Sequence, residues 1–203
     1  MALRKLFKSI NMLCGIDEAG RGALAGPVYA AAVILPDSFD TSILNDSKKL
    51  SPKKREEART VIMQQALFWH IAWESHERID SINILQATLS AMKKAFAGVW
   101  EQPSVRNNSA DLTVIVDGNQ LPDIHVPCRI IAEPKSDARY PCVMAASILA
   151  KTERDHRMLL YHTQYPDYRY DLHKGYGTAL HRSLIQQYGA SPIQRLSFKV
   201  KTV

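Results

Sequence analysis

Four carboxylates in this sequence stand where a chain could use them for chemistry rather than for packing. Asp17 and Glu18 close an apolar segment near the N-terminus, and Asp117 closes a second apolar segment. A carboxylate inside an apolar strand is costly, whereas one at the end of the strand can face a cleft. Asp137 precedes a helix predicted to open at Pro141, where the helix dipole favours its ionised form.

Each of these positions also has an ordinary structural interpretation. An Asp-Gly pair such as Asp117-Gly118 is usually a solvated turn, and Asp137 taken alone suits helix capping.

Asp155 competes with Asp137 for a place in a shared site. It lies about 18 residues further on, or roughly 27 Å along a continuous helix. Because its neighbours are charged, Asp155 is predicted to lie on a solvated, salt-bridged face.

If the four carboxylates meet, they supply only oxygen ligands, which suits hard cations such as Mg²⁺ or Mn²⁺. Two such ions about 4 Å apart would clamp the attacking and leaving oxygens of a phosphodiester displacement. Because hard cations prefer oxygen, His173 and His181 are expected to have loop and helix-surface roles rather than to bind metal.

A glycine-rich turn follows the first acidic pair and contains Gly20, Gly22 and Gly26. A dinucleotide-binding loop would need a helix to begin at this turn. Pro27 and a β-branched run follow instead, so that interpretation is rejected. The turn is either a loose hairpin connection or a place where a ligand approaches the backbone closely. In the second case Arg21 can meet a phosphate.

Apolar patterns predict the elements that must position these residues. Strands are predicted at residues 12–16, 27–35, 68–74, 112–116 and 129–132. Helices are predicted from Pro52 to about residue 67, from a cap at Asp80 onward, from Pro141 to about residue 160, and from a cap at Thr178 to Gly189. A hairpin followed by alternating elements favours an α/β fold with a mixed sheet flanked by helices. We expect a catalytic domain over residues 1–160 and a C-terminal helical extension over residues 161–203.

Composition limits the classes of protein that need to be considered. The chain has 203 residues, 46% of them hydrophobic and 23% charged, which excludes disorder as its main character. Three cysteines without a Cys-x-x-Cys pair argue against a disulfide framework or a structural zinc site. Because the cysteines are few and scattered, the reduced cytosol is the expected compartment. No apolar run approaches the roughly 20 residues that a membrane helix needs. The net charge of +6 favours a polyanionic partner only weakly. The tryptophans are expected in the core, at positions Trp69, Trp73 and Trp100.

One family resembles this sequence over about residues 12 to 198. The motif Asp17-Glu18-Ala19-Gly20-Arg21-Gly22, with Gly26-Pro27-Val28, is similar to the opening motif of ribonuclease HII, the type 2 ribonuclease H. Further matching motifs follow in order: Asp46-Ser47-Lys48-Lys49-Leu50-Ser51, Ile79-Asp80 with Asn83-Ile84-Leu85, Val116-Asp117-Gly118-Asn119, Lys135-Ser136-Asp137, Ala145-Ala146-Ser147-Ile148-Leu149-Ala150-Lys151 and His173-Lys174-Gly175-Tyr176-Gly177-Thr178.

The resemblance implies an RNase H-like fold, with a five-stranded mixed sheet, flanking helices and a C-terminal helical extension. It implies an endoribonuclease that degrades the RNA strand of RNA–DNA hybrids and cuts 5′ to single ribonucleotides embedded in duplex DNA. Two-metal-ion hydrolysis with Mn²⁺ or Mg²⁺ would leave 3′-hydroxyl and 5′-phosphate ends. The implied catalytic and metal-binding residues are Asp17, Glu18, Asp117 and Asp137, and the implied oligomeric state is a monomer.

The resemblance also implies residues that contact the substrate. Gly20-Arg21-Gly22 would read the 2′-hydroxyl at the junction, and Tyr176 would stack on the adjacent deoxyribose. Ser47, Lys48 and Asn83 would contact phosphates. One departure lies near the C-terminus, where the family pattern His-Arg-x-Ser-Phe is replaced by Gln194-Arg195-Leu196-Ser197-Phe198.

Two other functions compete with this interpretation. One is an RNase H-like nuclease that cuts only long hybrids or DNA, and it differs from the first in its choice of substrate. The other is a fold relative that binds nucleic acid without cutting it, against which the presence of all four carboxylates argues.

Overall fold

A five-stranded mixed sheet organises the protein. We describe it from a computed structural model, which covers residues 12–44 and 50–200. Along the sheet the strand order is β3-β2-β1-β4-β5. The first three strands pair antiparallel, whereas β4 and β5 extend the sheet in parallel from β1. The strands are β1 (Met12–Ala19), β2 (Val28–Ile34), β3 (Phe68–Glu74), β4 (Leu112–Asp117) and β5 (Arg129–Glu133).

The described ranges contain six α-helices. They are α1 (Pro52–Gln65), α2 (His76–Trp100), α3 (Pro103–Arg106), α4 (Pro141–Gln164), α5 (Tyr170–His173) and α6 (Ala179–Tyr188). Of these helices, α2 and α4 pack directly on the sheet. The predicted starts of α1 and α6 are confirmed, because Ser51 and Thr178 cap them through their hydroxyl groups. The predicted stop at Gly189 is also confirmed, with φ at 80°.

The core lies on both faces of β2, all of whose residues are buried. Because neighbouring side chains in a strand point to opposite faces, Ala30 and Ala32 pack with α2 around Phe96. Ala31 and Val33 pack on the other face with α4 around residues such as Leu149. Small side chains on β2 therefore let α2 and α4 lie close to the sheet on opposite sides.

The start of α2 differs from the prediction. The helix begins at His76, and the Ser75 hydroxyl accepts a hydrogen bond from the backbone N–H of Arg78 at 3.2 Å. Asp80 therefore lies inside the helix rather than at its cap. The apolar stripe used for the prediction begins only after Asn83, where φ is 66° and ψ is 164° and the helix kinks.

Three further expectations about aromatic residues were wrong. His173 and His181 are both buried, and their rings stack with centroids 4.2 Å apart. Trp73 is 46% exposed and stacks on Tyr29 rather than entering the core. His173 on α5 and His181 on α6 stack on each other, and Trp73 lies on the edge strand β3. Local sequence patterns specify neither situation.

The C-terminal region contains α5 and α6, and α4 runs across the predicted boundary after residue 160 as far as Gln164. The division into a catalytic domain and an extension remains a prediction. Within the described ranges, none of the helices has both the length and the apolar character needed to cross a bilayer.

Candidate active site

The parallel pairing of β1 with β4 brings the first two acidic positions to one edge of the sheet. The register pairs Ile16 with Val116, so Asp17 and Asp117 follow the last paired residues on adjacent strands. Because neighbouring side chains in a regular strand point to opposite faces, an end or bulge in β1 at this point would let Asp17 and Glu18 share a site. Instead β1 continues to Ala19 in regular pairing with β2. The pairing of β1 with β4 stops earlier, at Ile16, so Asp17 and Glu18 pair only with β2. Both residues border one cavity at this edge of the sheet.

Three carboxylates form a tight cluster at this edge. One oxygen each from Asp17, Asp117 and Asp137 lies within 4.8 Å of the other two. Asp137 reaches the cluster from a short 3-10 helix, residues 136–138, which follows β5. Its neighbour Ser136 anchors Asp117, whose Oδ1 accepts hydrogen bonds from the Ser136 backbone N–H at 2.8 Å and hydroxyl at 3.2 Å.

Glu18 lines one cavity together with the three clustered aspartates, but it is not part of their cluster. Its Oε1 is 3.5 Å from Nη1 of Arg21, which forms a half-exposed ion pair with it. The cavity therefore has an inner group of three carboxylates and an outer carboxylate that is already paired with a cation.

Burial and mutual repulsion raise the pKa of two carboxylates in this cavity, Asp17 and Glu18. Burial is the largest cause of the raised pKa of Asp17, and the charges of Glu18 and Asp117 add to it. A hydrogen bond from the Ser147 side chain opposes the shift in the pKa of Asp17. Burial also raises the pKa of Glu18, against the opposing charge of Arg21. A site in which burial and neighbouring charges raise the pKa of Asp17 and Glu18 is short of positive charge, which a divalent cation would supply.

One cavity of about 470 Å³ is lined by this cluster and by Gly20, Arg21 and Gly22. These three residues begin the glycine segment, by which we mean residues 20–27. Tyr176 lines the same cavity. It is held beside the glycine segment by a β-bridge to Ala23 and by a hydrogen bond from the Leu24 N–H to the Gly175 carbonyl at 2.8 Å.

The glycines of this segment differ in what surrounds them. A Cβ on Gly22 would meet no atom within 4 Å, so this glycine borders open space where a ligand can approach. A Cβ on Gly20, where φ is 103°, would lie 2.1 Å from Nε of Arg154. Gly20 is therefore required by the packing beneath the turn, and Gly22 leaves room above it.

Sequence reasoning missed two residues that line the cavity, Ser147 and Lys151. Lys151 Nζ lies 5.3 Å from the centroid of the Tyr176 ring and donates a hydrogen bond to Asp155 at 2.7 Å. Ser147 and Lys151 are four residues apart on α4 and so share a helix face. This spacing within one matched motif was the signal available in the sequence.

The salt-bridged character predicted for Asp155 is present, although its side chain is only 16% exposed. Asp155 does not line the cavity of the carboxylate cluster. It borders an adjacent groove that shares Lys151 and Tyr176 with that cavity.

The remaining predicted substrate contacts lie elsewhere. Asn83 does not line the cavity. Its side-chain oxygen instead accepts a hydrogen bond from the Gln86 N–H at 3.1 Å and so caps the second part of α2. Ser47 and Lys48 lie outside the described residues.

Comparison with known families agrees with this arrangement. The family model described as Ribonuclease HII matches residues 14–201. Ribonuclease HII of Treponema denticola is 54% identical to this chain over 198 residues, covering 95% of this chain and 100% of that protein.

The chain belongs to the ribonuclease HII family.

Solved structures show the same fold. RNase HII from Archaeoglobus fulgidus, solved as a complex with PCNA, has a TM-score of 0.73 at 25% identity and covers 95% of this chain and 97% of that chain. Bst-RNase HIII, solved in complex with Mn²⁺, has a TM-score of 0.71 at 16% identity and covers 93% of this chain and 67% of that chain. The predicted RNase H-like fold is confirmed. As a member of the ribonuclease HII family the chain is a ribonuclease H, a hydrolase that acts on RNA–DNA hybrids.

Proposed function

We propose that this ribonuclease H cuts the RNA strand of RNA–DNA hybrids and also cuts 5′ to single ribonucleotides embedded in duplex DNA. The products would carry 3′-hydroxyl and 5′-phosphate ends, as removal of RNA primers or of misincorporated ribonucleotides requires. The observation that carries this proposal is the shared cavity. It places four carboxylates beside a backbone segment with open space at Gly22 and beside the aromatic ring of Tyr176.

The donor set of the cavity fits divalent cations. Asp17, Asp117 and Asp137 offer clustered oxygen ligands. Burial and the repulsion of neighbouring carboxylates raise the pKa of Asp17, and a bound cation would offset both effects. We infer that these residues, with Glu18, hold two Mn²⁺ or Mg²⁺ ions. Bound there, ions of this kind would supply the positive charge needed to activate a water for attack on phosphorus and to stabilise the leaving 3′ oxygen.

The four carboxylates would have different roles in the reaction. Asp17 and Asp137 would orient the attacking water, and Glu18 and Asp117 would lie near the leaving oxygen. Ser136 supports this by holding Asp117 through two hydrogen bonds. Ser147 holds Asp17 through a side-chain hydrogen bond.

Substrate recognition would use the backbone of the glycine segment. The 2′-hydroxyl is the group that distinguishes RNA from DNA at a single site. Backbone groups of Gly20 and Gly22 suit this task because no side chain stands in front of them. Tyr176 would pack against the deoxyribose next to the ribonucleotide, since a sugar without the 2′-oxygen lies closer to the ring.

Five cationic or polar side chains are proposed to hold phosphates. Arg21 borders the cavity with its side chain 46% exposed, and Lys151 stands over Tyr176. Ser47, Lys48 and Asn83 remain predicted phosphate contacts from the family resemblance. The monomeric state and the cytoplasmic location also remain predictions.

The decisive experiment uses a duplex with one ribonucleotide, tested with Mg²⁺ and with Mn²⁺. We expect a single cut 5′ to the ribonucleotide and no cut in the all-DNA duplex of the same sequence. Cutting of all-DNA duplex would overturn the proposal in favour of a general nuclease. Cutting of long hybrids alone would leave only the broader ribonuclease H activity.

Substitution of one carboxylate separates catalysis from binding. Asp117→Asn keeps the shape of the side chain and removes its charge, so cleavage should be abolished while hybrid binding persists. Asp111→Asn, in the turn that precedes β4, is the matched control and should leave cleavage unchanged. Full activity of Asp117→Asn would exclude this residue from the ion site.

A further inference from the structure

Two arginines are buried directly beneath the glycine segment. Arg154 and Arg195 are both 0% exposed. Their guanidinium groups make seven hydrogen bonds, and each of these ends on a backbone carbonyl. Buried arginines are usually matched by carboxylates, so this arrangement calls for a specific explanation.

Arg195 holds four carbonyls of the glycine segment at once. Nη1 donates to the Arg21 carbonyl at 3.0 Å, and Nε donates to the Gly26 carbonyl at 2.9 Å. Nη2 donates to the carbonyls of Gly20 at 2.8 Å and Pro27 at 3.1 Å. A single planar group thus fixes both ends of the turn and the two peptide planes on either side of Arg21.

Arg154 connects this segment to the loop that carries Tyr176. Its Nε and Nη2 donate to the carbonyls of Pro27 at 3.0 Å and Ala25 at 3.2 Å. Its Nη1 donates to the Lys174 carbonyl at 2.9 Å, and its guanidinium carbon lies 5.1 Å from the centroid of the Tyr176 ring. The two elements proposed to recognise the junction therefore share one buried cation.

The direction of these bonds has a consequence for the other side of each peptide. Because a trans peptide is planar, its N–H points away from its carbonyl. When Arg195 draws the Gly20 and Arg21 carbonyls inward, the N–H groups of Arg21 and Gly22 point outward, and both residues line the cavity. The buried guanidinium thereby sets the direction of two donors at the place where a ribose would lie.

This arrangement costs free energy, so packing alone is a poor explanation for it. Burial, and secondarily the charge of Arg154, lowers the pKa of Arg195 to about 9. Taking two like charges out of water costs free energy, which their hydrogen bonds must offset. What an arginine adds is a rigid fork of donors with a fixed mutual geometry.

We propose that Arg195, supported by Arg154, is a positioning residue for ribonucleotide recognition. It aims the backbone N–H groups of Arg21 and Gly22 at the 2′-hydroxyl of the substrate. This inference rests on the proposed function, in which the glycine segment reads that hydroxyl. The alternative is that Arg195 only satisfies buried carbonyls and stabilises the fold.

The test measures binding instead of cleavage, in protein carrying Asp117→Asn so that the duplex stays intact. Dissociation constants are measured for a duplex with one ribonucleotide and for the all-DNA duplex of the same sequence. With Arg195 present we expect about a tenfold preference for the ribonucleotide, the value of one well-oriented hydrogen bond. Arg195→Lys keeps the charge but not the fork, and should reduce the preference to less than about twofold.

Controls separate positioning from stability. Arg59→Lys alters an arginine that makes a 2.9 Å ion pair with Glu153 away from the cavity, and the tenfold preference should remain. If Arg195 has only a structural role, Arg195→Lys will lower the unfolding temperature and leave the ratio of the two dissociation constants unchanged. That result would overturn the inference. If the protein with Arg195 intact shows no preference, both the 2′-hydroxyl reading by the glycine segment and this inference are overturned.

A second variant covers the case in which Arg195→Lys does not fold. The Asp80 carboxylate anchors the segment that carries Arg195, because it accepts hydrogen bonds from the backbone N–H groups of Leu196 at 2.9 Å and Ser197 at 3.0 Å. Asp80→Asn loosens this anchor and leaves the arginine in place. We expect the preference to fall about threefold, and an unchanged preference would contradict the inference.

Discussion

Neutralising one carboxylate of the cluster should make the metal-free protein more stable while it abolishes cleavage. Asp17 is buried, and one of its oxygens lies within 4.8 Å of oxygens from Asp117 and Asp137. Burial and neighbouring charges raise its pKa, so the folded state holds the ionised form at a cost. Asp17→Asn removes this cost, and the amide oxygen can still accept the 2.7 Å hydrogen bond from the Glu18 N–H.

The size of the effect follows from two limits. Two unit charges at the outer limit of 4.8 Å repel by about 3.5 kcal/mol at an effective dielectric constant of 20. The carboxylate can escape this repulsion by holding a proton. For an ordinary aspartate pKa near 3.9, protonation at pH 7 costs about 4 kcal/mol at 1.36 kcal/mol per pKa unit. The penalty is therefore no larger than about 4 kcal/mol, and we expect Asp17→Asn to gain about 1–3 kcal/mol.

The assay is urea unfolding at pH 7 with EDTA, followed by titration with Mg²⁺ or Mn²⁺. The control is Asp37→Asn, an exposed aspartate after β2, which should change the unfolding free energy by less than about 0.5 kcal/mol. Metal at 100 times its dissociation constant should stabilise the unmodified protein by about 2.7 kcal/mol and the variant by less.

The pH dependence supplies the sign of the argument. A raised folded-state pKa means that the folded protein binds the proton more tightly than the unfolded chain, so stability is lost as pH rises above about 4. The advantage of Asp17→Asn should thus be absent near pH 4 and grow towards pH 7. The reasoning is refuted if the variant is less stable than the unmodified protein in EDTA at pH 7, or if its advantage grows as the pH falls.

Four further predictions follow from the packing and the charges. Gly15→Ala would place a Cβ 2.3 Å from the backbone of α4 and should cost more than about 3 kcal/mol in urea unfolding. The methyl group added by Gly22→Ala meets no atom within 4 Å, so the free energy of unfolding should change by less than about 0.5 kcal/mol. The same methyl group should lower single-ribonucleotide cleavage about tenfold. Equal cleavage would show that no ligand approaches there. Lys151→Met should raise KM for the hybrid about tenfold with little change in kcat, because the lost charge lies beside the cavity. Burial lowers the pKa of His181 to about 4, so stability should fall by about 2 kcal/mol between pH 7 and pH 5, where the unfolded chain takes up the proton. His181→Gln should remove that slope.

Local patterns predicted the elements well where one physical cause decides them. The capping hydroxyls of Ser51 and Thr178 lie directly before their helices, so their positions could be predicted from sequence alone. Asp80 was wrongly predicted as a cap because Asn83 interrupts the apolar stripe of α2 and conceals its first turn. The burial of His181 could not be predicted, since it depends on a stacked partner, His173, brought by another helix, α5.

The residues of the candidate site were available from the sequence in a different sense. Residue types, strand ends and the family motifs identified Asp17, Glu18, Asp117 and Asp137 as one chemical group. They carried no information about how closely these groups approach. Only the parallel register of β1 and β4, with the short 3-10 helix after β5, separates a cluster of three carboxylates from Glu18 paired to Arg21.

The sequence by itself determined the chemistry of this protein, because oxygen ligands, glycines and caps act through the identity of the residue and its near neighbours. The tertiary structure alone decided what holds that chemistry in place. Arg195 is 168 or more residues away in sequence from every carbonyl that its side chain binds. A contact over such a distance leaves no local pattern, since it exists only after the chain has closed around the glycine segment.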